Sequence, residues 1–425
     1  MTEQTVLVLA GYDLEVIPVV RWLADRFRVV LIATKNATNQ RHHAAFAESV
    51  ALAAQWRWID DAFNSFATVE QALAWHQDDA ISHVVCLDEL GLICAAELRA
   101  LLGVGTGQQL DSATAFRVKD RMYDLVRQDR ATRDRVAVAE YQTADTAFDV
   151  LRAAHRIGFP LVIKPVDGGG SQDTHALQTP AELAGWLAAR PVNLAGTVLV
   201  QGFVNAPMYH VDGIVADGAV HCPVVSRYGG STLGYQDARP LVSAMVEPGS
   251  PAHRLLVDAV ERVLAALPDS GGCSFHAEFF LDEDTGELHF CEIASRTGGA
   301  GVGSVYRLAT GVDLFWAHAL LQCGLVEDVT ARLRPVGGPG TPRYGWYLRP
   351  APTGTVLALP ARCELAGVLD YDPSGRIGQP RTGPSSSVDA IATFIVEFSD
   401  AAEAEKVFQA ISHWSDLHNL VLPAR

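Results

Sequence analysis

Apolar and polar positions alternate most regularly between Cys273 and Gly299, CSFHAEFFLDEDTGELHFCEIASRTGG. A period of two predicts a pair of strands there, Ser274 to Leu281 and Glu287 to Ala294, joined by an acidic turn ending at Gly286. With Leu281 paired to Glu287, His276 faces Glu292 across the hairpin and Glu278 shares their side by parity. Phe275, Ala277, Phe279, Cys291 and Ile293 then point the other way, into a core. Such a hairpin holds its acidic face on a rigid sheet rather than on a loop.

Elsewhere the pattern changes with position. TVLVLA at 5–10 reads as a buried strand, Gly11 turns the chain into a helix from Glu15 to Arg26, and FRVVLIA returns as a second strand, a βαβ unit of a parallel sheet. A further strand, His83 to Leu87, ends in Asp88 and Glu89, with Asp88 expected to cap the helix Gly91 to Leu102. RVKDRMYDLVRQ continues as a helical stretch carrying Lys119, and another helix covers Thr146 to Arg156. Strands follow at Pro160 to Lys164 and Thr197 to Val204, then a hairpin, MYHVDGIV and AVHCPVV, around Asp217-Gly218. Ser226 to Ala238 reads as a glycine- and tyrosine-rich loop, and helices cover Pro251 to Leu267 and Val312 to Cys323. VGGPGTP at 336–342 interrupts all periodicity and marks a boundary, beyond which FIVEF and a helix, Ala401 to His413, suggest a small α+β unit.

Composition narrows the class. A chain of 425 residues with 49% hydrophobic and 19% charged residues supports two or three domains. Its formal charge of −16, with no run of Lys or Arg, excludes a nucleic-acid or anionic-membrane surface. No apolar run is long enough to span a bilayer and the N-terminus carries acids, so a cytoplasmic location is expected. Seven cysteines without a CxxC pair fit reduced thiols. Only four of the 33 basic residues are lysines, Lys35, Lys119, Lys164 and Lys406, so a lysine here is seldom surface filler.

These patterns carry candidate chemistry. Carboxylates gathered on one strand face repel unless a cation lies between them, and Mg²⁺ takes a few such oxygens with phosphate oxygens completing its shell, which makes Glu278 and Glu292 metal candidates. Lys164 ends a strand directly before a glycine-rich loop at 167–174, in which Gly168, Gly169, Gly170 and Ser171 can turn N–H groups toward an anion. The loop is not a Walker A sequence. The strand exit from Gln201 to Val204 offers backbone groups to an adenine edge, with Phe203 as an apolar wall. His210 and Asp212 share a strand face, and alone His210 reads as a histidine satisfied by its neighbours.

Taken in order, Lys119, Lys164 with its loop, the exit at Gln201 to Val204, and the Glu278, Glu292, Arg296 set resemble the ATP-grasp superfamily over roughly residues 1–335, in its carboxylate-amine ligase branch, which includes amino-acid ligases. That resemblance implies an α/β fold, α+β in the ATP-grasp part. It implies an N-terminal parallel-sheet domain at 1–110 and a two-lobed ATP-grasp domain at 111–335, with lobes at about 111–195 and 196–335. A C-terminal domain would occupy 336–425. It implies ATP and one or two Mg²⁺ (Mn²⁺ as a substitute), with Lys119, Lys164, Gly168, Gly169, Gly170, Ser171, Gln201, Phe203, Val204 and His210 around the nucleotide. Glu278 and Glu292 would hold the metal, and Lys164 and Arg296 would serve catalysis. Asp212, Arg227, Tyr228, His276, Ser295, Arg296, Gly298 and Gly299 are candidates for substrate contact, and a base for the amine is sought among His276, Asp212 and the 226–238 loop. Small-molecule carboxylate and amine partners and a homodimer are expected.

Three departures from the family pattern stand out. Gln201 and Gly202 replace a Glu pair, Met208 replaces a ribose-binding Glu that His210 would substitute, and Ala294 replaces a metal-binding Asn, so that a second Mg²⁺ would need Glu292 bidentate to both ions or help from Ser295. The expected activity is ATP-dependent amide formation through an acyl phosphate. The alternatives are carboxylation through carboxyphosphate, or a nucleotide sensor without turnover.

Overall fold

The computed structural model describes residues 4–12, 14, 16–34, 43–190, 194, 196–338, 340–350, 352–375, 377–378, 380–384 and 386–422. Glu15, the expected start of the first helix, and Lys35 lie outside the described residues; the helix spans Val19–Ala24. No described helix is long and apolar enough to cross a membrane.

The first sheet contains β1 (Thr5–Ala10), β2 (Arg28–Ala33), β3 (Gln55–Trp58) and β4 (Ile81–Cys86), in the order β3-β2-β1-β4 with every pair parallel. Helices cover both faces of such a sheet, which is why β1 is buried along its whole length and reads as one unbroken apolar run. The tips of β1 and β4 are tied together: the N–H of Gly11 donates to Asp88 Oδ2 at 2.7 Å. A Cβ on Gly11 would stand 2.6 Å from that oxygen, so only glycine fits. Asp88 therefore does not cap with its side chain as expected, because its carboxylate is spent on the neighbouring strand. Burial raises that carboxyl to about 6, against the pull of the Gly11 and Tyr12 N–H groups.

The stretch read as one helix around Lys119 is two, Leu110–Arg117 and Lys119–Gln128, broken at an extended Val118. The break has a cause: Lys119 N–H donates to Val166 O at 2.9 Å, which draws the start of the second helix against the entrance of the glycine-rich loop. A second sheet holds β5 (Tyr141–Ala144), β6 (Leu161–Pro165), β7 (His175–Leu177) and β8 (Val198–Gly202), in the antiparallel order β5-β8-β6-β7. The helix Ala147–Ile157 packs on it and starts with a reciprocal Thr146–Asp149 capping box.

The third sheet has eight strands. Its members are β9 (Met208–Ala216), β10 (Ala219–Gly229), β11 (Leu241–Met245), β12 (Cys273–Leu281), β13 (Leu288–Ala294), β14 (Arg343–Pro350), β16 (Val368–Asp372) and β18 (Ala390–Phe398). They run in the order β13-β12-β9-β10-β11-β14-β18-β16. Strands from beyond residue 342 thus extend the same sheet. Short strands β15 (Gly354–Ala358), β17 (Pro380–Arg381) and β19 (Leu420–Leu422) pair separately, and the helix Ala401–His418 covers β14 and β18. One face of β9 and β12 packs Tyr209, Val211, Phe275, Ala277 and Phe279 against the helix Pro251–Ala266. The opposite face meets the helices Val302–Thr310 and Leu314–Gln322 and the first sheet.

Two expectations need correction. Arg227 and Tyr228 belong to β10, not to a loop, because β10 pairs with β11 through Gly229. In the β12–β13 hairpin Leu281 pairs with Leu288, and a bulge beside Phe279 brings Glu278 directly opposite Glu292 and His276 opposite Ala294. Cys291 is the extra residue of that bulge; it is half-buried and lines a cavity instead of entering the core.

Replacing Gly11 with alanine drives a methyl group into the Asp88 carboxylate, and the expected cost is about 1–3 kcal/mol of stability. Urea unfolding of Gly11→Ala checks it, and an unchanged midpoint contradicts the strand-tip contact.

Candidate nucleotide and ligase site

A cavity of about 440 Å³ opens between the second and third sheets. Both scarce lysines reach it from the small-sheet side. Lys119, the first residue of its helix and buried, donates from Nζ to Gly168 O at 2.5 Å and stands 3.1 Å from Glu292 Oε2. Lys164, on β6 and equally buried, donates to the Tyr123 hydroxyl at 3.1 Å, and that hydroxyl donates to Cys291 O at 2.6 Å. Burial works against a charged Lys164, but Tyr123, Cys291 and Glu292 outweigh it and raise its pKa. Burial also pushes the Tyr123 phenol up to about 12, so the pair is an ammonium on a neutral phenol. Tyr123 was not foreseen, although its position four residues after Lys119 puts it on the same helix face.

The glycine-rich loop crosses the cavity with Gly170 and Ser171 both in the left-handed region, φ 59° and 57°. Its carbonyls are held from two directions. Ser387 donates to Gly170 O through both N–H and Oγ, each at 3.1 Å, while Tyr235 OH reaches Ser171 O and Gln236 Nε2 reaches Thr174 O, each at 2.9 Å. Gly168, Gly169 and Ser171 line the cavity and Gly170 does not. At the far end Gln201, Phe203, Val204 and Met208 line it, with Thr232 Oγ1 4.0 Å from the Met208 sulfur.

Glu278 and Glu292 face the lysines from the large sheet and line the same cavity. Tyr228 OH donates to Glu278 Oε1 at 2.9 Å, and His276 Nε2 stands 3.5 Å from that same oxygen. His276 Nδ1 is 2.7 Å from Asp212 Oδ1, while His210 Nδ1 is 2.5 Å from Asp212 Oδ2 and its Nε2 is 2.7 Å from Ser243 Oγ. With a carboxylate at each nitrogen, His276 carries both protons. Its pKa is raised to about 10, since Asp212 and then Glu278 outweigh burial. Burial likewise works against an ionised Glu278, but His276 and Tyr228 hold its pKa below the usual glutamate value.

Several expected roles do not match these positions. His210 is 1% exposed with both nitrogens engaged, and it does not line the cavity, so it cannot stand in for a ribose-binding acid. Asp212 and His276 are buried behind Glu278, away from the cavity lining, and are not placed to take a proton from an incoming amine. Ser295 is buried, donates to Gln108 Oε1 at 2.8 Å and does not line the cavity. Arg227 and Tyr228 do line the cavity. Gly298 serves packing, since a Cβ there would stand 2.8 Å from His276 Nδ1; one on Gly299 would stand 3.2 Å from Val388.

Arg296 lies beside the cavity rather than on its lining. Its Nε and Nη2 donate to Glu89 Oε2 at 2.8 and 2.6 Å, and Arg117 Nη1 stands 3.5 Å from Glu89 Oε1. Burial raises the cost of charging Glu89, but Arg296 and Arg117 keep its pKa below the ordinary value. At the C-terminal end of a parallel strand, Glu89 is expected either beside a ligand or as a helix cap. Its neighbour is the glycine-rich loop, because a Cβ on Gly169 would stand 3.2 Å from Glu89 Oε2.

Comparison with known proteins bears on the fold. No family model matches the chain. It is 22% identical over 299 residues to an L-arginine-specific L-amino acid ligase of Bacillus subtilis, covering 68% of each chain. A formate-dependent phosphoribosylglycinamide formyltransferase of Rhodococcus jostii (strain RHA1) is 31% identical over 204 residues, 45% of this chain and 47% of that one, so the chain spans about half the length of that relative. In structure it is similar to the L-amino acid ligase of Bacillus licheniformis, with a TM-score of 0.74 at 16% identity and full coverage of both chains. The chain has the ATP-grasp fold. Another solved ATP-grasp relative, the N5-carboxyaminoimidazole synthase of Aspergillus clavatus in complex with ADP and its ribonucleotide, superposes with a TM-score of 0.68 at 16% identity over 98% of this chain and 99% of that one.

Glu89→Gln leaves two buried guanidiniums on a neutral amide, with an expected loss of about 3 kcal/mol at neutral pH. Because the folded-state pKa lies below the ordinary value of 4.5, this contribution is present above that pH and is lost as the pH falls through the folded value. Denaturant unfolding at pH 7 and pH 3 checks it: the gap between wild type and Glu89→Gln narrows at the lower pH, and an equal gap contradicts the ion-pair assignment.

Proposed function

We propose that the chain is an ATP-dependent carboxylate-amine ligase that makes an amide bond between amino-acid-like substrates. The observation carrying this reading is that Lys119 and Lys164 meet Glu278 and Glu292 across one cavity, with the glycine-rich loop as its roof. In the reaction a substrate carboxylate attacks the γ-phosphorus of ATP and the bond to the bridging oxygen of ADP breaks. An amine then attacks the acyl phosphate, sheds a proton and releases inorganic phosphate. Charge moves between oxygens in both steps, so the protein's task is electrostatic positioning.

The residues divide that task. Lys119 and Lys164 neutralise phosphate oxygens, and Lys164 stays charged on its phenol. The loop at 168–171 offers backbone to the triphosphate, and the exit at Gln201 to Val204 receives the adenine. Arg296 and Arg117, sharing Glu89, orient the acid near the phosphate loop. The carboxylates fit a divalent ion: Tyr228 and His276 use only Oε1 of Glu278 and Lys119 only Oε2 of Glu292, which leaves the other oxygen of each for a cation. Mg²⁺ held there would supply charge neutralisation of the transferring phosphoryl group. With Ser295 buried and an alanine at 294, one such ion accords with these donors better than two.

Phosphate release measured with ATP, Mg²⁺ and a panel of amino acids tests the reading. Turnover that requires both an acid and an amine is expected, and Lys164→Ala or Glu292→Ala should lower kcat/KM by roughly 100-fold or more. Bicarbonate-dependent turnover would replace the ligase by a carboxylase, nucleotide binding without turnover by a sensor, and unaltered turnover in either variant would remove these residues from the site.

A further inference from the structure

Behind Glu278 lies a block of charge that the proposed chemistry does not use. Glu278 and His276 on β12 stand opposite His210 and Asp212 on β9, so four ionisable side chains occupy a two-by-two patch on one face of the sheet. All but Glu278 are among the fully buried polar residues, packed beneath Trp346 and Tyr228. Gathering such groups in a core costs more than filling the layer with apolar side chains. The ligand atoms of His210, Asp212 and His276 lie within 4.8 Å of one another, near enough to hold a metal ion, but they are engaged with each other. The facing atoms stand 2.5 and 2.7 Å apart, hydrogen-bond lengths, whereas ligands about 2.1 Å from an ion stand roughly 3–3.5 Å from one another.

The contacts run in one direction. Ser243 on β11 meets His210, His210 meets Asp212, Asp212 meets His276, and His276 meets Glu278 at the cavity wall. The small Ser226 opposite His210 leaves room for the ring to reach Ser243, and the absent side chain of Gly298 lets the His276 ring lie flush. At the end of the line His276 and Tyr228 converge on a single oxygen of Glu278, Oε1. A carboxylate that accepts a hydrogen bond from Tyr228 and forms an ion pair with His276 at the same oxygen is restrained about its terminal bond, so its second oxygen favours one bearing.

We propose that Asp212 and His276 are positioning residues that fix the Glu278 carboxylate so that Oε2 alone meets the divalent cation of the nucleotide. The proposal rests on the ligase reading above, which supplies the cation and the nucleotide. Neither residue touches the reacting atoms. Their effect reaches the reaction through the orientation of one ligand, and it makes Glu278 a one-oxygen ligand rather than a chelating one.

ADP binding by calorimetry, across a Mg²⁺ series and without Mg²⁺, tests it. His276→Asn keeps a donor for Asp212 and loses the arm to Glu278; Asp212→Asn keeps the shape and removes the charge. In both, the Mg²⁺ concentration for half-maximal tightening of ADP is expected to rise about tenfold or more, the usual effect of losing a partner behind a metal ligand. ADP affinity without Mg²⁺ should stay within about twofold of wild type. The proposal is overturned if folded variants keep the wild-type Mg²⁺ requirement, or if they lose ADP equally with and without Mg²⁺, as a merely structural role requires. A wild-type protein that binds no ADP at any Mg²⁺ concentration instead overturns the ligase reading and takes this inference with it.

Discussion

Two glutamates placed directly across from each other on neighbouring strands are the constraint around which this molecule is arranged. Glu278 and Glu292 share one face, and like charges at cross-strand distance are unfavourable without compensation. The fold supplies compensation from both sides. Lys119 approaches Glu292 from the small sheet, and His276 and Tyr228 approach Glu278 from within the large one. Glu278 is thereby held below the usual glutamate pKa, and each carboxylate keeps one oxygen uncommitted. A triphosphate with its cation fits such an arrangement because it brings charges of both signs.

The same alternation extends outward. Arg296 and Arg117 bracket Glu89, and a line of histidine and aspartate leads back from Glu278 to Ser243. Buried charges of this kind contribute little net stability, since desolvation offsets their attraction. What they contribute is fixed geometry. The glycine-rich loop is held in the same spirit, by Ser387 from the C-terminal part and by Tyr235 and Gln236 from the turn between β10 and β11. One loop therefore ties together segments more than 200 residues apart in the chain.

Much of this was legible before any coordinates. Unbroken apolar runs identified the parallel sheet, period-two alternation the acidic hairpin, and Asp217-Gly218 the β9–β10 turn, where both residues have positive φ. The scarcity of lysine drew attention to Lys119 and Lys164, and both line the cavity with Glu278 and Glu292. What failed did so for local reasons. A bulge at Cys291 shifted the hairpin register, and no letter in the sequence marks an extra residue in a strand. Asp88 capped nothing because Gly11, 77 positions earlier, competed for its carboxylate. His210 looked available to a ribose because its partner Ser243 lies on a strand that sequence spacing does not connect to it. Glu89 was seen as an acid but not as the hub of two arginines, since both partners are distant in sequence.

The most direct measurement is a crystal structure with Mg²⁺ and a non-hydrolysable ATP analogue. In the free protein Lys119 spends its charge on Glu292 and Gly168. With the analogue bound, the terminal phosphates are predicted between the two lysines on one side and the two glutamates on the other, with Mg²⁺ on Oε2 of Glu278. An analogue bound outside this cavity, or one bound inside while Mg²⁺ avoids both glutamates, would contradict the account.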